Sequence, residues 1–300
     1  PMAVPAWASF YQDAPWGHFL NLVSDALQTR GLGHEVDGDA GCVRLADGRT
    51  LGLSNLAQMC HRLPWDRWPG LIDHHFGIAL RATAPGSGAE DLAGSFETIR
   101  STLKLRVWHR ETAPSAPFVS WDIADDLLAV LTLDQPEMLT TVRRDDAVRW
   151  PASRADLWHL ALANVRAEGL LRAPALDVGD GAMVHVVEGD RTYCAASHVL
   201  FLEAYVGPST PSGCVVAVPR RHTFVFHRIE DRRVVVAVQS MLQVIPTMCH
   251  EGPGSISPSL YWWQPGHALT RLPAQVVGNT LEFYPPPPFV EMLNRLPPRT

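Results

Sequence analysis

Lysine is almost absent. Of the 25 basic residues only Lys104 is lysine, and the others are arginine. The bias reads as the mark of a GC-rich coding sequence, although arginine also suits bidentate anion contacts better than lysine does. An excess of positive charge is missing too: the formal net charge is −6 and the pI about 6.1, which argues against a non-specific nucleic-acid binder. No apolar run approaches the roughly 20 residues of a membrane helix, so no membrane partner is expected. The five cysteines (42, 60, 194, 214 and 249) are odd in number and scattered, with no CxxC pair. Reduced thiols and a cytoplasmic location are the expectation. There is no GxSxG, P-loop, GxGxxG or HExxH, so phosphate cradling and serine-hydrolase chemistry have no local support, and no cofactor is expected. The opening PMAVPAWASFYQD lacks a charged segment followed by an apolar one, so no signal peptide is expected. Pro1 before Met2 reads as a tag scar, with Met2 the native start.

What the chain does have is 46% hydrophobic residues over 300 positions, enough for a real core in one large domain or two modest ones. Its organising stretch runs from Phe118 to Gly169. Leu127–Leu133 (LLAVLTL) is an apolar run of buried-strand length. Asp134-Gln135-Pro136 ends it, because proline cannot continue a ladder. Met138–Val142 then suits a returning strand. Ser153 as N-cap with Asp156 three residues on makes a capping box. Leu157, Leu160, Ala161, Asn164 and Val165 follow at helical spacing, and Gly169 stands where a left-handed C-cap belongs.

Elsewhere, helices are expected over 17–30, from Ser54 to Cys60, from Trp68 to Leu80, over 91–103, 154–168, 195–204 and 231–245. Hairpins are expected around Asp47-Gly48, around Gly189-Asp190 (Ala182–Val187 with Arg191–Cys194) and around Pro265-Gly266 (Leu260–Gln264 with Ala268–Leu272). Further strands fall at 105–109, 214–218 and 222–228. Pro285–Pro288 is expected to be extended and polyproline-like. The pieces VRLADGRTLGLSNLAQM and VHVVEGDRTYCAASHVLFL share hairpin length, turn position and a following helix. A duplicated helix–hairpin–helix unit accounts for this; chance similarity of short amphipathic elements accounts for it equally well. The expected fold is α+β, with mixed or antiparallel strands and packed helices, because strict βαβ alternation is missing. Its expected parts are a helix and hairpin region over 1–84, a linker over 85–89 (within APGSGA), a larger α+β domain over 90–280 and a proline-rich tail over 281–300.

Met59-Cys60-His61 and Met248-Cys249-His250 repeat a soft-donor triplet, but adjacent residues rarely reach one ion, so no metal site is expected. Asp73-His74-His75 likewise lacks the i, i+4 spacing of helical ligands. Asp122, Asp125, Asp126 and Asp134 flank one strand; solvated strand ends explain them more simply than a hard-cation site. Arg143-Arg144 and Arg220-Arg221-His222 each follow a strand. They either form an anion pocket or blunt sheet edges. In the first case Arg144, Arg220 and Arg221 bind the anion and His222 or His250 moves a proton. Ten tryptophans are many. Trp65, Trp68, Trp262 and Trp263 fall near turns, where they line a groove or serve as core; Trp262 and Trp263 are the candidates for partner contact.

The stretches LGLSNLAQMCHRLPWDRWPGLIDHHF, LLAVLTLDQPEMLTTV with LWHLALANVRAEG, and CVVAVPRRHTFVFHR with ISPSLYW resemble the YtpQ-like bacterial proteins, a family of unknown function. The resemblance covers about residues 18–265 and implies a soluble cytoplasmic α+β protein with no activity to transfer. The expectation is an accessory or interaction protein with a protein partner. The alternative is an enzyme acting on a small anionic substrate.

Overall fold

Two compact units divide the chain: residues 1–94, 135–140 and 251–253 form one, and residues 95–134, 141–250 and 254–300 the other. They were obtained as a computed structural model that describes residues 4–82, 96–113, 117–135, 138–189, 195–208, 210–277 and 280–298. The linker expected over 85–89 lies outside the described residues.

In the first unit, the helix Asp13–Thr29 turns Trp16, Phe19, Leu20, Val23 and Leu27 inward at helical spacing. A three-stranded antiparallel sheet follows: β1 (His34–Asp37), β2 (Cys42–Leu45) and β3 (Thr50–Gly52). Asp47-Gly48 makes the expected turn between β2 and β3, with Gly48 at φ 88°. The helices Ser54–His61 and Trp68–Ala82 complete the unit. Tyr11 ties its aromatic core. Its ring lies 5.8 Å from Trp16, 5.9 Å from Phe19 and 5.8 Å from Trp68, and its hydroxyl donates to Ala57 O at 2.7 Å.

The second unit is built on two sheets. In the first, β4 (Leu103–His109) and β5 (Ser120–Asp122) flank β6 (Leu127–Gln135) in the antiparallel order β4-β6-β5; β7 (Met138–Thr141), next in the chain, is grouped largely with the first unit. The apolar run Leu127–Leu133 is therefore a central strand with both edges paired. The helix Arg154–Arg166 packs on β4. Its capping box forms as expected: Asp156 N donates to the Ser153 hydroxyl at 3.2 Å, and Ser153 N donates to the Asp156 carboxylate at 2.9 Å. The sole lysine, Lys104, ion-pairs with both Asp134 and Glu168.

The second sheet holds β8 (Ala175–Asp177), β9 (Met183–Glu188), β10 (Cys214–Arg220), β11 (Thr223–Arg228), β12 (Leu260–Trp263) and β13 (Thr270–Leu272), in the order β13-β12-β10-β11-β9-β8. It is covered on both faces. Val216, Phe224, Phe226 and Tyr261 pack with Leu202 and Tyr205 on one side. Val215, Val225, Leu260 and Trp262 pack with the helix Val234–Glu251 and with Phe289 on the other. This is why β10 and β11 read as continuous apolar runs rather than as alternation. A further hairpin joins β14 (Ala274–Val277) to β15 (Thr280–Phe283).

The chain is thus α+β, with antiparallel sheets and packed helices. Four local expectations change. Met183–Glu188 pairs with β8 and β11, and residues 191–194 of the expected hairpin lie outside the described residues. Residues 195–201 wind as a 3₁₀ helix. The helix expected to end at 245 runs through Pro246 to Glu251, where the burial of Ile245 and Cys249 offsets the one hydrogen bond that proline removes. The proline-rich tail forms a helix, Pro287–Arg295, with prolines in its first turn, where no intrahelical N–H partner is needed; it buries Phe289 and Met292. Among the described residues no helix is long and apolar enough to cross a membrane.

Candidate functional site

Arg220 bridges Ser255 and Arg221 N donates to Gly254 O at 2.9 Å, whereas Arg144 lines a cavity with Arg154. Arg220 is committed at the end of β10: its guanidinium pairs with Glu188 at 2.9 Å and donates to the Thr223 hydroxyl at 2.9 Å. Arg221 donates through Nε to His222 Nε2 at 2.9 Å, so that nitrogen of His222 is an acceptor and the proton sits on Nδ1. Its side chain lies against Gly254, whose φ is 75° and where a Cβ would meet the Arg221 stem at 2.6 Å. His250 is exposed in the last turn of the helix Val234–Glu251. Trp262 and Trp263, expected as partner contacts, are only 5% and 8% exposed. They are core side chains of a central strand, and the Trp262 indole donates to Ser212 O at 2.9 Å.

The two soft-donor triplets divide their donors. Cys60 and Cys249 are buried, which pushes their thiols up to about 12 and about 11, while His61 and His250 are exposed. The aspartates around β6 also separate. Asp122 pairs with Arg110 at 2.6 Å and Asp134 with Lys104, whereas Asp126 turns inward.

Arg144 lines a cavity. That cavity, of about 370 Å³, has walls of Val119, Ala147, Val148, Ala152 and Leu157, with Arg144 and Arg154 as its charged groups. Both arginines open a helix, Arg144 the short one Arg144–Ala147 and Arg154 the long one Arg154–Arg166. The same extended segment fixes both. Arg144 Nε donates to Phe118 O at 3.0 Å, and an Arg154 Nη donates to Ser120 O. The Arg154 guanidinium also lies 5.4 Å from the centre of the Trp121 ring. Arg144, from one of the arginine pairs, and Arg154 each spend one donor on a strand carbonyl. Each keeps further N–H groups, however, and among the described residues neither is ion-paired. Asp156, the nearest acid along the long helix, is turned back onto Ser153 N and Oγ at 2.9 and 2.6 Å.

A larger cavity, of about 540 Å³, lies between the helix Val234–Glu251 and the C-terminal helix; its lining is apolar apart from Gln239 and Gln243. A third, of about 270 Å³, is lined by His185 and His227 and by the charged residues Arg228, Glu230, Asp231 and Arg233. There His227 gives its Nδ1 proton to Met183 O at 2.7 Å, and Asp231 holds Arg233 at 2.5 Å.

Among the buried polar groups are Asp126, which the sequence places among solvated strand ends, and His198, which no sequence signal marks. Asp126 accepts from the Tyr261 hydroxyl at 3.0 Å, with Ser257 Oγ at 2.7 Å from that hydroxyl and Arg271 and His109 at 3.4 and 3.7 Å from its other oxygen. His198 is fully buried. The Tyr205 hydroxyl accepts from Leu171 N at 3.1 Å and so has its proton free for His198 Nδ1 at 2.6 Å. Burial pushes the imidazole down to about 4. The unfolded chain takes a proton on this histidine below pH 6.5, but the folded chain only below about 4. Across that window the unfolded state binds more protons, so stability falls as pH falls. The loss attributable to His198 is about 3 kcal/mol. Urea titrations at pH 7 and pH 4 should show His198→Gln losing correspondingly less stability than the parent over that interval; an equal loss would remove the assignment.

No protein-family model, no curated protein and no solved structure matches the chain.

Proposed function

We propose that the protein is a non-catalytic accessory protein that works by binding a small anionic ligand with an apolar body, held at Arg144 and Arg154. One observation carries this reading: two guanidiniums with no acidic partner among the described residues stand on an apolar-walled cavity of about 370 Å³. That volume lies in the range of small-molecule sites, and a few fixed polar groups on an apolar wall are their usual make-up. The wall supplies no nucleophile and no proton-transfer group, which favours binding over chemistry.

Thermal shift tests it. A panel of hexanoate, hexanesulfonate and hexyl phosphate is titrated against the full chain and its Arg144→Gln, Arg154→Gln double variant. A ligand at about a hundred times its Kd adds about 2.7 kcal/mol of stability. For a chain of this size that is on the order of 5 °C. At least one anion is expected to raise the Tm of the parent and not of the double variant. No shift with any anion overturns the reading.

A further inference from the structure

Resting on that reading, we infer that the anion taken is the head of a soluble phosphate monoester, seated between the two guanidiniums with its ester group on the apolar wall. The anchoring geometry carries the argument. Arg144 and Arg154 are held on the carbonyls of Phe118 and Ser120, two residues apart on one extended segment. Carbonyls at i and i+2 leave the same edge of a strand about 7 Å apart. The donors left over differ on the two sides. Arg144 spends Nε and keeps both Nη groups, whereas Arg154 spends one Nη and keeps Nε and the other Nη. The inferred ligand is a tetrahedral group that offers an oxygen to each of these two donor sets.

A carboxylate fits less well. Its two oxygens lie in one plane and are satisfied by a single guanidinium fork, which leaves the second arginine unpaired. A phosphate monoester has three free oxygens and a charge between about −1.5 and −2 at neutral pH, matching two guanidiniums in both number and charge. Its fourth oxygen carries the organic group, and Val119, Ala147, Val148 and Leu157 give that group an apolar surface. Arg154 is oriented by the Trp121 ring as well as by Ser120 O, so the pair is set before a ligand arrives. The limited cavity suits a short soluble body rather than a lipid still in its bilayer.

Isothermal titration calorimetry on the full chain at low salt decides it, with hexyl phosphate, hexanoate and inorganic phosphate as probes. Hexyl phosphate is expected to bind at least tenfold tighter than hexanoate, and inorganic phosphate more weakly than hexyl phosphate because it leaves the wall empty. Arg144→Gln and Arg154→Gln should each cost about tenfold, since glutamine can still donate to the strand carbonyl but carries no charge. Val148 is 83% exposed, so Val148→Asp places a carboxylate at the site without touching the core, and it should cost as much. Equal affinity for hexanoate and hexyl phosphate overturns the phosphate assignment and leaves the anion-binding reading standing. Silence from all three, with no thermal shift, removes both. Cosedimentation with phosphatidic-acid vesicles but no heat from hexyl phosphate overturns the soluble ligand.

Discussion

Trp262→Ala is expected to destabilise the fold by about 4 kcal/mol, as large aromatic truncations in a core do. Trp262 is 5% exposed on β12, next to the central strand β10, and its ring meets Phe289 of the C-terminal helix edge-on at 5.3 Å. Truncation removes that packing and leaves Ser212 O without the indole N–H that meets it at 2.9 Å. Trp262→Phe should recover most of the loss, keeping the ring contact and forfeiting only the hydrogen bond. Trp65→Ala is the contrast. That ring is 50% exposed, stacked on His18 at 4.9 Å, and its removal should cost under about 1 kcal/mol. Urea unfolding midpoints compare the three. A Trp262→Ala protein with the parent midpoint would show that the ring is not part of the core.

That prediction turns on a distinction the sequence did not make. Trp65 and Trp262 both stand near turns, and aromatic residues look alike whether they cap a core or face solvent. Local signals were otherwise informative where the cause is local. The box of Ser153 and Asp156, the turn at Asp47-Gly48 and the apolar run of β6 each depend on residues within a few positions, and each forms. Expectations failed where tertiary packing decides. Pro287 and Pro288 read as extended until Phe289 is seen seated against Trp262; prolines in a first turn then cost nothing. Likewise β9 pairs with β11, whose residues lie about 40 positions on, a partner that no local turn signal marks.

The candidate site was half legible. Arg144 stood out as one of two consecutive arginines after a strand, and it lines the cavity. Arg154 carries no such flag, because nine residues, Pro151 among them, separate it from Arg144. The only available signal was that both sit at the start of a helix. What unites them is the edge of the segment 118–120, and no spacing rule encodes that. The partnership of Asp126 with Tyr261 is more distant still, at 135 residues apart. Arg220 shows the converse. It had the same local signature as Arg144, but Glu188 arrives from β9 to neutralise it. The arginine signature therefore locates charge at strand ends, and only the third dimension tells which charges are already answered.

Gly213→Ala is expected to be the more damaging substitution, at about 4 kcal/mol or more, placing it among the exceptional losses that single replacements cause. Gly213 leads into β10 at φ 73°, a conformation that costs a residue bearing a Cβ roughly 1–2 kcal/mol. Sterics add the rest. A Cβ there would stand 1.8 Å from the carbonyl oxygen of Trp263 and 2.8 Å from its carbonyl carbon. Both atoms are backbone, so no side chain can swing away, and relief requires β10 and β12 to part where Cys214 faces Trp263. Gly213 O also accepts from Ile229 N at 3.0 Å, so a shift there disturbs the end of β11 as well. Gly266, also at positive φ (79°), has open space around its missing Cβ. Gly266→Ala therefore carries the conformational penalty alone and calibrates it. The difference between the two variants in urea unfolding isolates the clash at Trp263 O; equal losses at Gly213 and Gly266 would mean that β10 and β12 do not approach so closely.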